Sequence, residues 1–218
     1  MKWLVLCLAA RVFYFCISVE SPWKVIIFDF RHFINPERYG QDKQTVKFMS
    51  MIEDLTSRES ELMAFVESVD GSIEERYQKL KGNGIFEAYR EVHSLYAENC
   101  SRGDLESLKR GLFIQWYSVT EPSCYTGIGE LFYDAERGIL TQLRALVFSS
   151  KLDAELSWML NYYIEVGEFA FSRFNEYTGI REVMQNISNV NYPMTIIKDS
   201  MLNRGQLGIY WTSVFHLR

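Results

Sequence analysis

The sequence predicts a mainly α-helical fold, an antiparallel helical bundle, with a short two-stranded β element from the N- and C-terminal segments as its one departure. Three observations carry this. Apolar residues recur at i, i+3, i+4 and i+7 from Asp42 onward for about 150 residues, the period of a single helix face. Helix-start and helix-stop signals repeat along that stretch with short connections between them, as in bundles. Four prolines in 218 residues leave the pattern largely uninterrupted, and no β/α alternation builds a parallel sheet.

The first element, residues 1–21, is an apolar N-terminal segment. Lys2 precedes the apolar stretch 3–10, and Arg11 separates it from a second, 12–17. A signal peptide shares this charged start, and Cys16-Ile17-Ser18 offers a small-x-small cut, but Arg11 interrupts the apolar region. Residues 3–19 are at the short limit for crossing about 30 Å of hydrocarbon. A central Arg costs roughly 2.5–3.5 kcal/mol there, against about 0.3–0.6 gained per large apolar residue. We therefore expect a buried element of a cytoplasmic protein. The alternative is an exported or membrane-tethered chain, with membrane contact only if residues 3–19 act as an anchor.

Residues 22–218 are expected to form one helical domain. Val25-Ile26-Ile27-Phe28-Asp29-Phe30 has strand length and resembles the first strand of haloacid dehalogenase-like phosphatases, where such a strand delivers a nucleophilic aspartate. Arg31 stands where that family has its second acid, and no parallel-sheet pattern follows, so the resemblance implies no activity here. Asn35-Pro36 and Tyr39-Gly40 mark a turn. Val46, Met49, Ile52 and Leu55 then begin a helical stripe. Thr56-Ser57-Arg58-Glu59 matches a capping box, so a new helix is expected there, continuing through Leu62, Phe65, Val66 and Val69 to a stop at Asp70-Gly71.

Ser72 with Glu75 starts a short helix that Gly82-Asn83-Gly84 ends. Four stronger helices follow. Ile85, Tyr89, Val92 and Tyr96 line the first. Ser101 with Asp104 opens the second, whose stripe is Leu105, Leu108, Leu112, Trp116 and Val119. Leu131, Ala135, Ile139, Leu143 and Leu146 mark the third. Ser150 with Asp153 opens the fourth, over 153–175, with Leu156, Met159, Leu160, Tyr163, Gly167, Ala170 and Phe174 on its core face. A shorter helix is expected through Ile180, Val183, Met184 and Ile187. The tail, 206–217, alternates Leu207, Ile209, Trp211, Phe215 and Leu217 at period two, interrupted only by Ser213, which predicts a strand.

Composition narrows function mainly by exclusion. Lys+Arg 23 against Asp+Glu 28 gives a net charge of −5 and no basic stripe, so no nucleic-acid partner is expected. Cys7, Cys16, Cys100 and Cys124 form no C-x-x-C pair or zinc spacing; Cys100 and Cys124 read as buried thiols, with one disulfide as the exported-chain alternative. His32, His93 and His216 make no local metal pair. No metal and no cofactor is expected, and no catalytic residue is assigned.

Two features exceed this background. One is the loop 121–129, whose Glu121, Cys124 and Tyr125 are candidate binding groups. The other is the fourth helix. With Leu156 at 0°, Glu165, Trp158, Phe169 and Tyr162 fall at about 180°, 200°, 220° and 240°. Three aromatics around one carboxylate therefore lie opposite the core face. Exposed, such a patch binds a protein partner or a small ligand, including a cationic one over the rings. The expected function is a non-enzymatic binding module using this aromatic-lined face. The rival is an enzyme assembled from distant groups: Glu165, Glu121 and one histidine.

Overall fold

The computed structural model describes the backbone of residues 39–187 and 198–216, and side chains within 51–184 and 200–214. The chain divides into two compact units, Met1–Lys47 and Phe48–Arg218, and nearly all of the described residues belong to the second. The expected strand at 25–30 and the apolar segment 3–19 lie outside the described residues.

Among the described residues there are ten α-helices, two 3-10 turns and no strand. The helices are α1 (Tyr39–Ser68), α2 (Ile73–Gly82), α3 (Ile85–Ser101), α4 (Leu105–Thr120), α5 (Ser123–Thr126), α6 (Tyr133–Phe148), α7 (Ala154–Gly167), α8 (Phe169–Ser172), α9 (Ile180–Ile187) and α10 (Gly205–His216). Local chemistry sets several of the boundaries. Ser72 and Glu75 form the expected reciprocal capping box at α2. The carboxylates of Asp104 and Asp153 cap α4 and α7 by accepting from the N–H groups of Ser107 (3.0 Å) and Leu156 (2.6 Å). Ser101 closes α3 instead of opening α4, and Ser150 sits in a left-handed turn before α7. An aspartate next to the first turn outcompetes a serine three residues further out.

The expected restart at Thr56 does not occur. α1 runs through it, Thr56 Oγ1 donates back to the Ile52 carbonyl, and Glu59 is turned into the core at 1% exposure. A capping box needs free backbone N–H groups, and an uninterrupted helix offers none. The fourth predicted helix is also divided: α7 stops at Gly167, and α8 and a 3-10 turn at Asn175–Tyr177 continue it. Its predicted core face is nonetheless buried throughout, from Leu156 to Phe174.

The central element is α4. Every residue from Ser107 to Trp116 is buried, and α3, α6, α7, α8 and α10 all pack against it. A three-residue connection makes α3 and α4 an antiparallel hairpin. Gly111 allows the close approach there: a Cβ at this position would stand 2.6 Å from Ile139 Cδ1 and 3.3 Å from Tyr96 Cβ.

The tail is a helix where the sequence predicts a strand. Leu207 and Trp211 are buried, and Ile209 between them is 56% exposed. Residues four apart satisfy both a period of two and one helical turn, so Leu207 and Trp211 fit either pattern; the outward Ile209 decides between them. Gly205 starts α10 at φ +58°, in van der Waals overlap range of Glu59 for any larger residue.

Candidate functional site

The aromatic residues gather where α4, α7 and α10 meet. Phe113, Trp116 and Tyr117 project from α4, Trp158, Tyr162 and Tyr163 from α7, and Tyr210 and Trp211 from α10. Trp116 stacks on Tyr163 at 4.9 Å, and Trp158 meets Trp211 at 4.2 Å. Tyr162 and Tyr210 are bonded through their hydroxyls at 2.7 Å. Tyr210 also meets Trp116 and Tyr117 edge-on at 5.5 and 5.4 Å, the geometry that ring quadrupoles favour.

This cluster settles where the predicted face lies. Trp158 is buried and Tyr162 half-buried, because α10 covers the second side of α7. Glu165 and Phe169 remain exposed, Phe169 at 60%. The four residues therefore do not form one open patch; two pack in or against the core and two are surface. The cover comes from α10, the segment whose periodicity predicts a strand, so a helix face could not be drawn for it from sequence.

Polar contacts hold α10 in place. Arg204 donates to both oxygens of Glu106 (2.8 and 2.6 Å) and to Glu155 (2.6 Å). Lys109 bridges Asp153 and Glu155. Arg110 donates to Glu106, to Thr56 Oγ1 and to the Asn203 carbonyl. Glu59 accepts from Tyr96 Oη and from the Gln206 N–H (3.0 Å). Burial pushes the Glu59 carboxyl above its ordinary range against these donors and the nearby Arg110. Burial also opposes the charge on Arg204, but Glu106 and Glu155 outweigh it and raise the guanidinium.

Clefts open around this frame. One of about 220 Å³ lies between α1 and α10, with Tyr117, Tyr125, Tyr210 and Gln206 among its walls. A second, of about 510 Å³, follows α10 along Met201, Leu202 and Gly208 and shares Met63, Ile209 and Ser213 with the first. The third, of about 610 Å³, is lined by Arg90, Glu121, Glu136 and Arg173. Burial raises Glu136, but Arg173 is paired with it.

The expected loop 121–129 contains the short helix α5, which carries Cys124 and Tyr125, and its residues divide in the same way. Tyr125 is exposed and lines the first cleft, with the Arg76 guanidinium 5.5 Å from its ring centre. Glu121 lines the third. Cys124 and Cys100 are free and buried, and burial pushes the Cys100 thiol up to about 12. Burial lowers the His93 imidazole to about 3, so it is neutral and sealed from solvent near neutral pH. Glu165, Glu121 and His93 share none of these clefts. Among the described residues no group of three or more His, Cys, Asp or Glu is placed to hold a metal ion, and no helix is long and apolar enough to cross a membrane.

Sequence reasoning missed Tyr117, Gln206 and Tyr210. The available signal was Phe113-x-x-Trp116-Tyr117, aromatic spacing of one helix face, on a helix whose neighbours are unknown until it folds. No protein-family model matches the chain, and no curated protein or solved structure matches it either.

Proposed function

We propose that this chain is a non-enzymatic binding protein whose ligand or partner enters the tyrosine-lined cleft between α1 and α10. One observation carries the reading. The aromatic cluster does not end inside the core: through Tyr117 and Tyr210 it reaches the cleft wall, where Tyr125 joins it from α5. Rings held by ring neighbours form a rigid surface with little entropy left to lose on binding. Met63, Val66 and Ile209 add apolar area, and a few polar groups add orientation, the usual make-up of a ligand site. An apolar cavity of roughly 150 Å³ holds a benzene, so this cleft accommodates one ring with a short arm, or one side chain of a protein partner. Trp158 and Tyr162 serve as its support, standing behind Tyr210.

Titration with indole, followed by ¹H–¹⁵N correlation spectra, tests this. The amides of Glu67, Tyr125, Gln206 and Tyr210 are expected to shift together. Ser213→Trp, a change at an exposed residue that fills the cleft, is expected to abolish those shifts. Shifts that are absent, or unchanged in the filled variant, remove the cleft as the site.

A further inference from the structure

The geometry points to an organic ammonium as the ligand class: a ring-sized apolar group carrying a protonated amine. This rests on the cleft being the binding site. Among the described residues no Lys or Arg lines the cleft, while the acidic Glu67 does. Three tyrosines also line it, and aromatic faces attract cations. Gln206, only 7% exposed, spends its amide nitrogen on Tyr89 Oη and on the Thr126 carbonyl (2.7 Å). Its carbonyl Oε1, buried behind the cleft, has no hydrogen-bond partner among the described residues, so Gln206 brings no free donor to an anion.

The guanidinium beside Tyr125 does not line the cleft either. Arg76 lies over Tyr125, and its guanidinium is committed to the carbonyls of Cys124, Val69 and Val66. It is fixed as structure and contributes no side chain to the cleft lining. An anionic ligand would meet Glu67 with no described cation on the cleft wall to receive it. A neutral one would leave Glu67 unused. An ammonium meets Glu67 and the rings together. The net charge of −5 favours its approach.

Two probes of the same ring and chain length isolate the charge: 2-phenylethylammonium and 2-phenylethanol. Titrated into the full chain, the ammonium is expected to shift the cleft amides and to bind about tenfold tighter than the alcohol. Glu67→Gln, at an exposed position, is expected to reduce ammonium binding several-fold and leave the alcohol unchanged. Raising the salt is expected to act in the same direction. Equal affinity for the two probes overturns the ammonium assignment and leaves the cleft as the site. Shifts at those amides with neither probe overturn both.

Discussion

The two flanks of α4 are held by different physics. Toward α3 and α6 the contact is apolar and close, with Ile139 seated over Gly111 beside Tyr96. Toward α10 it is ringed by charge: Arg110, Arg204, Glu106 and Glu155 within one network, and Glu59 buried at its edge. The apolar flank is stabilised by area removed from water, which is indifferent to partner identity. The polar flank holds only if each group meets its own partner, because a buried charge left alone is costly. The first flank therefore supplies stability and the second position. The cleft lies along the positioned helix.

The comparison breaks first on its apolar side. Ile139→Ala removes a fully buried side chain and is expected to cost roughly 2–5 kcal/mol, read by urea denaturation. Protection of α3, α4, α6 and α10 against hydrogen exchange should fall together. Arg204→Met comes next. Its carboxylate partners keep 30% and 19% exposure, so the loss is expected at about 2 kcal/mol, below the range for a fully buried pair. Here the α10 amides should lose protection well before those of α3 and α6. Equal loss in all helices for both variants would sink the distinction between the flanks.

The smallest effect is one of slope. Burial raises Glu59, so the folded chain favours its protonated form. That contribution is complete below the ordinary carboxyl range and is lost as pH rises through the raised folded value. Glu59→Gln imitates the protonated state. Its stability relative to the native chain is expected to increase from about pH 4 toward neutrality. Glu155, lowered by Arg204 and Lys109 despite its burial, changes in the opposite sense and cancels in the difference. A flat or falling difference shows that Glu59 is not the responsible group.

The helices α2, α3, α4, α6 and α7 were legible because their instructions are local. Ser72, Asp104 and Asp153 cap the turn they precede, and stripes such as Ile85–Tyr96 report burial at the spacing of the helix itself. The candidate site was legible only in part. Tyr125 could be picked out as a loop aromatic, and Trp158 and Tyr162 as aromatics out of place. Tyr117 looked like any residue beside a core stripe, and Gln206 carried no signal at all.

By itself the sequence determined most of the helices between α2 and α7 and the apolar face of each, since both depend on residues within a turn or two. Tertiary structure alone decided that 206–217 is a helix, that α10 covers the second face of α7, and that Glu59, Arg110 and Arg204 are inside. Those outcomes depend on pairs such as Gln206 with Glu59 and Arg204 with Glu106, 147 and 98 residues apart. A charged residue's burial is set by the partner that neutralises it, and the chain must fold before that partner is near.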